Sequence, residues 1–513
     1  MKTLKTIGFV LSGVLLILSG AVIYMTWSTK MVPTLYIAIA AVVLFGFTIG
    51  VFCLAKLRSK KTRILSIFIS IMLIILLSVA SFYLYKTNKA MDTVTGKNIQ
   101  TDEINVYVKS DDAVNSINEA VSNGYKFGII NLDDMKHINE TIDKVQQSVG
   151  TTITTESYDS INEMIGAFEG GYIQSIITSK GTLEMVDATE EHADFSKGLK
   201  VIMENKITEE IVEEVKKDVD KDRFCVYFSG IDSFGSVNVK SRSDVNIIAV
   251  VNNATKQVLL VSTPRDYYIE LGGPGGKMDK LTHAGLYGID SSTKTLANLY
   301  GTDIGYYVRL NFSGFQQIID QIGGIDVNSE YAFTSITEEG TYSYNVGVNH
   351  LNGEEALGFA RARYAFQDGD RQRGRNQMQV IKATIEKLES PETLANYSAI
   401  MDQLGGLFQT DMSKDNIGYL VKSTLDNGGW SVLTYSVSGY DASKVCYSLG
   451  FEAYVMEPNP NDVQYGKDLI NRVLAGETLT QDEINVYIEG KDKEDQATEE
   501  KPADEAPAED TTE

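Results

Sequence analysis

A chain of 513 residues, 43% hydrophobic and carrying a net charge of -23, is long enough to bury more than one core, and its acidity excludes bulk electrostatic binding to nucleic acid. The three cysteines exclude a disulfide-stapled scaffold: Cys53 lies within an apolar stretch, and Cys225 and Cys446 could form one bridge at most.

The chain opens with three uncharged apolar stretches, Ile7 to Trp27, Val32 to Leu54 and Ile64 to Leu84, each near the ~20 residues that a helix needs to cross a bilayer. The first is too long for the apolar region of a cleaved signal, lacks a small-residue cleavage site and is followed by two more spans. Tyr24, Trp27, Tyr83 and Tyr85 stand where interfacial aromatic belts stand. Five cations occupy Lys56 to Arg63, whereas the turn between the first two spans carries only Lys30. The positive-inside rule makes the basic loop cytoplasmic. Residues 1–86 are therefore expected to be a three-helix anchor in the cell membrane, with everything after Lys86 extracytoplasmic.

Short apolar runs then alternate with polar helical stretches, as at Ile104-Asn-Val-Tyr-Val108, Gly128-Ile-Ile130 and Ile173 to Thr178. Residues 98–218 read as a small α/β accessory domain, either a partner or substrate-gating module or a spacer. The charged run Lys206 to Lys221 is expected to be a helix leading onward. Strands are expected at Phe224 to Phe228, Val245 to Val251, Val258 to Ser262, Tyr306 to Leu310 and Ile325 to Val327, with an amphipathic helix from Phe312 to Ile322 stopped by Gly323-Gly324. Strand and helix alternation over 222–488 makes this a layered α/β domain. The heptad Asp102-Glu-Ile-Asn-Val-Tyr-Val108 recurs as Asp482-Glu-Ile-Asn-Val-Tyr-Ile488, which suggests two similar strands. The acidic tail 489–513, with Pro, Ala and few apolar residues, is expected to be disordered.

Nine of the twelve arginines lie between Arg223 and Arg375, and five of those fall within Arg361 to Arg375. A guanidinium fork matches phosphate geometry, so this density points either to an anion site or to a salt-bridged surface involving Asp368 and Asp370. Other signatures fail. The four histidines have no ligand spacing, there is no Gly-x-Ser-x-Gly elbow, and Gly272 to Lys277 has Leu271 and Met278 where a phosphate loop needs Gly and Ser or Thr. Asp232 follows the first of these strands and Asp244 precedes the second. Two carboxylates at one sheet edge can hold Mg²⁺, although each alone is also ordinary turn chemistry. Arg265 ends the third strand near the same edge. Asp370, Arg373 and Gln377 share a helix face, and Arg361 and Arg363 share one side of an extended segment. Mg²⁺ bridging the carboxylates to a pyrophosphate, with arginines on the remaining oxygens, suits this inventory.

Ser241-Arg-Ser-Asp244, Ser262-Thr-Pro-Arg265-Asp, Asp279-Lys280-Leu-Thr-His-Ala284, Ile322-Gly-Gly-Ile-Asp326-Val, Leu351 to Leu357, Arg361-Ala-Arg363 and Asp370-Arg-Gln-Arg373 through Gln377 together resemble the LytR-CpsA-Psr proteins of Gram-positive envelopes. Three spans followed by an extra domain are most similar to the streptococcal capsule members of that family. The resemblance implies an α/β/α layered catalytic domain with an apolar pocket for a polyprenyl chain. It implies an Mg-dependent phosphotransferase that moves a capsular polysaccharide, or a related anionic polymer, from a polyprenyl pyrophosphate carrier to peptidoglycan. It assigns Asp232 and Asp244 to the metal, and Arg265, Arg361, Arg363, Arg373 and Gln377 to the pyrophosphate. Asp244, Arg265 and Arg363 become catalytic, and Asp370 orients the arginine helix. Two positions depart from the family pattern: Asn376 stands where a second Arg is usual, and Thr282 where Asn is usual. Two other readings use the same features, a membrane-bound regulator that contacts cytoplasmic capsule-assembly proteins and a polyprenyl pyrophosphate phosphatase.

Overall fold

The computed structural model describes residues 2–94, 99–131, 135–211, 219–273, 275–337, 340–366, 369–390, 392–393, 400, 403–404 and 406–499. Helices α1 (Lys2–Ser28), α2 (Thr34–Lys56) and α3 (Lys60–Val94) come first, and each is long and apolar enough to cross a membrane. Small residues let them approach. A Cβ on Gly8 of α1 would lie 2.8 Å from the Ala55 side chain of α2, and the Ser66 hydroxyl of α3 donates to the Val51 carbonyl of α2 at 2.9 Å.

A five-stranded sheet follows, formed by β1 (Ile99–Lys109), β2 (Lys126–Ile130), β3 (Thr154–Tyr158), β4 (Ser175–Ser179) and β5 (Leu199–Glu210) in the order β3-β2-β4-β1-β5. Helices α4 (Ile117–Ser122), α5 (Lys136–Val149), α6 (Ile161–Glu169) and α7 (Lys180–Asp187) connect these strands. Ser116, Ser160 and Ser179 start three of the helices by accepting a bond from an amide in the first turn. The charged stretch from Lys206 is not a helix as far as Glu210. It is the end of β5, an edge strand paired along the length of β1, where Lys206 sits opposite Glu103 and bonds it at 2.7 Å. Cross-strand charge pairing and the register with β1 override the helical composition of that segment. Residues 212–218 of the same expectation lie outside the described residues.

The second unit contains β6 (Arg223–Ile231), β7 (Ser243–Asn252), β8 (Gln257–Ser262), β9 (Tyr268–Glu270), β10 (Met278–Lys280), α8 (Ile289–Tyr300), β11 (Tyr306–Asn311), α9 (Phe312–Gln321), β12 (Ile325–Ser329), β13 (Phe333–Ile336), β14 (Thr341–Tyr344), β15 (Gly347–Leu351), α10 (Gly353–Arg361) and α11 (Asp370–Leu388). After these come β16 (Phe408–Thr410), the helix Lys414–Asn427, β17 (Ser431–Ser436), β18 (Gly439–Val445), β19 (Glu452–Pro458) and the helices Pro460–Ala475 and Gln481–Glu499. The main sheet runs β16-β11-β6-β7-β8-β17. Alternate residues of β7 serve opposite faces. Ile248 and Val250 pack with Leu296 of α8 and Leu469 of Pro460–Ala475, whereas Ile247 and Ala249 pack with Met378 of α11. Helices thus cover both faces of one mixed sheet, an α/β/α sandwich, and its central strands are apolar throughout because neither face meets water.

Apolar packing helps tie the three parts together. Met31, in the turn between α1 and α2, is buried in the cluster that holds Ile319, Ile322 and Ile325 of the second unit, and a Cβ on Gly418 would lie 2.9 Å from the Thr29 carbonyl. Cys446, Leu449 and Val455 from the β18–β19 region sit in one apolar cluster with Ile161 and Phe168 of the five-stranded unit. Cys225 and Cys446 are both free and buried.

The repeated heptad takes two structures. Asp102–Val108 is strand, whereas Asp482–Ile488 lies in the helix Gln481–Glu499, with Ile484 buried against the sheet sandwich. The expectation of two strands fails at the second copy, where Ile484 packs into an existing core and no strand partner is offered; packing decides over local propensity. Residues 489–499 continue that helix in place of the expected disorder, and 500–513 lie outside the described residues.

Candidate functional site

β11 runs parallel to β6, and β7 lies antiparallel between β6 and β8, so the ends of β6, β8 and β11 and the start of β7 meet at one sheet edge. Asp232 directly follows β6, Asp244 is the second residue of β7, and Arg265 lies just past β8. The Asn311 side chain closes β11 by accepting from the Gly314 amide at 2.8 Å, which starts α9 at the same edge. A reciprocal capping box between Asn352 and Glu355 fixes the start of α10, whose last turn carries Arg361. After a short connection α11 begins, bringing Arg373 and Gln377.

These elements enclose a cavity of about 640 Å³. At one end it is lined by Asp232, Arg242, Asp244, Arg265, Arg361, Arg363, Arg373 and Gln377, and at the other by Leu310, Phe315, Ile318, Leu357, Val380, Ile381, Ile385 and Leu388. One stripe of α11 supplies both ends, polar in its first two turns and apolar in its last three. The structure therefore brings together Asp232, Asp244, Arg265, Arg361, Arg363, Arg373 and Gln377. Asp370 contributes its backbone to the first turn of α11; its side chain, like the whole of Asp368, lies outside what is described. Arg361 and Arg363 do not share an extended segment: Arg361 closes α10, and Arg363 follows in the turn beyond.

Asp244 is bonded through both of its carboxylate oxygens. Its Oδ2 accepts from Arg265 Nη1 at 2.5 Å and its Oδ1 from the Thr282 hydroxyl at 2.9 Å. Burial alone would raise its carboxyl, but the guanidinium groups of Arg265, Arg242 and Arg373 outweigh burial and hold it far below the usual carboxylate range. Asp232 shifts the other way. Burial, and after it the charge of Asp244, raises its carboxyl, with Arg242 Nη2 at 3.6 Å opposing. Arg265 also faces Asp266, its Nε lying 3.4 Å from Asp266 Oδ2. The Arg361 guanidinium lies 4.3 Å from the Phe312 ring centroid. Arg363 lies over the ring of Tyr364, 4.5 Å from its centroid, and donates to the Tyr364 hydroxyl; that tyrosine is 90% exposed.

Thr282 owes its place to a buried pair behind it. Asp279 accepts from His283 Nδ1 at 2.7 Å and from the Lys280 and Ser448 amides, each at 2.8 Å, which locks the 3-10 turn Leu281–Tyr287. A Cβ on Gly285 would lie 2.4 Å from the Ser241 carbonyl, so this turn packs directly on the segment that carries Asp244. Burial pushes the Asp279 carboxyl up, but His283 and Ser448 more than offset it and the net shift is downward. Its stabilisation is therefore complete above the unfolded pKa of about 3.9 and is lost as the pH falls from there toward the lower folded value. Asp279→Asn is expected to lose about 3–5 kcal/mol of stability at pH 7, as for a broken buried pair. Its unfolding midpoint is also expected to fall less than that of the parent between pH 5 and pH 3. Equal midpoints at pH 7 would contradict this role.

Other arginines point elsewhere. Arg371 Nη2 donates to the Gly439 carbonyl at 2.7 Å and Arg375 Nε to Gln372 Oε1 at 2.7 Å, and neither lines the cavity. Asn376 is buried, accepting from Gln372 at 3.0 Å and donating to the Phe359 carbonyl at 3.2 Å, so it packs α11 against α10. The glycine-rich loop from Gly272 leans on α8 through a 2.9 Å bond from the Gly272 amide to the Thr295 hydroxyl. Arg242 and Ala188 are among the cavity-lining residues that were given no role from sequence. Arg242 lies two positions before Asp244 and so on the same side of the strand start, a spacing that could have flagged it. Ala188 comes from the five-stranded unit, and no pattern in the sequence marks it.

Residues 186–459 match the model of the LytR_cpsA_psr family. Over 216 residues the chain is 36% identical to the polyisoprenyl-teichoic acid–peptidoglycan teichoic acid transferase TagU of Enterococcus faecalis, covering 41% of this chain and 70% of that one. It is 33% identical over 243 residues to the corresponding transferase TagT of Bacillus subtilis, covering 45% and 73%. The crystal structure of B. subtilis TagV aligns at 26% identity with a TM-score of 0.42, covering 51% of this chain and all of that one.

Proposed function

Because the chain belongs to the LytR_cpsA_psr family, we propose that it is a membrane-anchored transferase moving a glycopolymer from a polyprenyl pyrophosphate carrier to peptidoglycan. The observation that carries this reading is the two-ended cavity, in which arginines converge on one end and an apolar sleeve some three helical turns long forms the other. A pyrophosphate fits the first and a polyprenyl chain the second, and few other ligands need both. The polymer proposed is a capsular polysaccharide or a related anionic polymer, such as the teichoic acid in the names of the relatives.

Arg265, Arg361, Arg363 and Arg373 would hold the pyrophosphate oxygens and stabilise the charge that grows on the departing polyprenyl phosphate, while Gln377 adds a neutral donor. Arg265 is held in place by Asp244, and Asp244 by Thr282, so the cationic end is organised before any ligand arrives. Asp232 and Asp244 line the same end of the cavity and are the carboxylates that would hold Mg²⁺; burial, and after it the charge of Asp244, raises the Asp232 carboxyl, and a bound cation would relieve that repulsion. Bound there, the ion would neutralise phosphate oxygens. Attack by an acceptor hydroxyl on the glycan-bearing phosphorus would form a new P–O bond as the bridging P–O bond of the pyrophosphate breaks, with the hydroxyl proton passing to the Asp232 carboxylate and polyprenyl phosphate leaving along the apolar sleeve.

We place both sheet units on the outer face of the membrane. The basic stretch Lys56 to Arg63 supports this, and so does the turn Thr29–Met31, which lies against the second unit and therefore on the same side as the cavity. The test is incubation of the full chain in vesicles with lipid-linked glycan, Mg²⁺ and peptidoglycan. Polymer covalently joined to peptidoglycan with equimolar polyprenyl phosphate is expected. Free glycan phosphate as sole product would make the protein a phosphatase, and absence of polyprenyl phosphate would overturn the reading.

A further inference from the structure

The end of α7 reaches the site from the other unit. Ala188, the C-cap of α7, lines the cavity that also holds Asp232 and Arg242. Glu184, one turn earlier on the same helix face, is about a third exposed; its Oε1 lies 3.8 Å from Lys180 Nζ, and it is also within the electrostatic reach of Arg242 and Asp232. Among the described residues Arg242 Nε is buried without a hydrogen-bond partner, so the guanidinium between the two units has bonding capacity left over.

This approach is built into the fold. A Cβ on Gly181 of α7 would lie 3.0 Å from the Leu286 side chain and 3.3 Å from the Lys240 carbonyl. The Thr101 backbone donates to the Asn238 carbonyl at 2.8 Å and accepts from the Lys240 amide at 2.9 Å, so β1 pairs with the segment just before Ser241 to Asp244. The apolar cluster shared with the β18–β19 region closes the same interface.

Displacement at phosphorus is roughly in line, with nucleophile and leaving group on opposite sides. If the polyprenyl phosphate departs into the sleeve of α9 and α11, the acceptor must enter from the Asp232 and Arg242 end, where α7 stands. We propose that the five-stranded unit builds the acceptor subsite, with the end of α7 as the wall on which a hydroxyl-bearing glycan strand lies and Glu184 as a positioning residue that acts through Arg242. This rests on the transferase reading. It gives the unit a share in acceptor choice, beyond gating or spacing.

The experiment uses the full chain in detergent with soluble, lipid-free peptidoglycan fragments as the probe. Ala188→Trp fills the opening from an exposed position, and Glu184→Gln removes the charge without changing shape. Calorimetry is expected to show at least tenfold weaker fragment binding for Ala188→Trp and a severalfold loss for Glu184→Gln that Glu184→Asp restores. With lipid-linked glycan present, the ratio of transfer to hydrolysis should fall in the same order. Fragment affinity and transfer ratio both within twofold of the parent in Ala188→Trp would overturn the inference. A parent protein that binds fragments in this α7-dependent way, yet releases no polyprenyl phosphate, would keep the subsite and sink the transferase reading.

Discussion

Asp244→Asn is expected to lower polyprenyl phosphate release about a thousandfold, roughly 4 kcal/mol at about 1.4 kcal/mol per decade. The amide keeps the shape and can still accept from the Thr282 hydroxyl, so the local backbone should hold. What disappears is the charge. Three guanidinium groups, those of Arg265, Arg242 and Arg373, hold this carboxylate ionised, and without it they repel one another at the end of the cavity where pyrophosphate is proposed to sit. The same change removes one of the two carboxylates proposed for Mg²⁺. Release is measured from radiolabelled lipid-linked glycan under single-turnover conditions. A loss smaller than tenfold would mean that Asp244 is a structural residue and that the anion site lies elsewhere.

Arg265→Ala and Arg363→Ala should both lose activity but separate in stability. Arg265 faces two buried carboxylates, Asp244 and Asp266, and its removal takes a guanidinium from both, leaving Asp266 with Lys280 and Asp244 with the Thr282 hydroxyl, which costs on the order of 3 kcal/mol. Arg363 packs on an exposed tyrosine, and deletion there is expected to change stability by no more than about 0.5 kcal/mol. Its rate effect should still be about 10²- to 10³-fold, the range for losing one preorganised donor to a developing oxyanion. Melting curves and single-turnover rates on the same preparations separate the two. An Arg363→Ala protein with parental rates would remove it from the site, and an Arg265→Ala protein with parental melting would contradict the buried ion-pair network.

Elements were legible where one rule dominates. β6, β7, β8 and β11 are short apolar runs that have no other use in water, and α9 shows its period and its Gly-Gly stop in the sequence. The end of β5 is hidden because Lys206 and its neighbours have helical composition, and the partner strand β1 supplies the opposite charge of Glu103 that suits it to an edge strand. The heptad shared by Asp102–Val108 and Asp482–Ile488 shows the same limit, since seven nearly identical residues become strand beside β4 and β5 and helix beside the sandwich core. At the site, seven of the residues named from spacing and resemblance, Asp370 excepted, line one cavity because strand ends and helix starts recur at fixed places in such sheets. Arg242 was visible in its motif but had no assigned partner, whereas Ala188 and Glu184 belong to a different unit, whose docking no local pattern encodes.

The contact of the Thr29–Met31 turn with Ile319, Ile322 and Gly418 makes the helical bundle a bracket and not a leash. A domain on a flexible stalk samples a hemisphere and must find its lipid by a three-dimensional search. Under the proposed membrane placement and substrate, a domain bolted to its anchor keeps its cavity at a constant height above the bilayer plane, so the encounter with a lipid carrier reduces to lateral diffusion in two dimensions. Under the proposed transferase reading, lengthening that turn with glycines would then slow capture of the lipid.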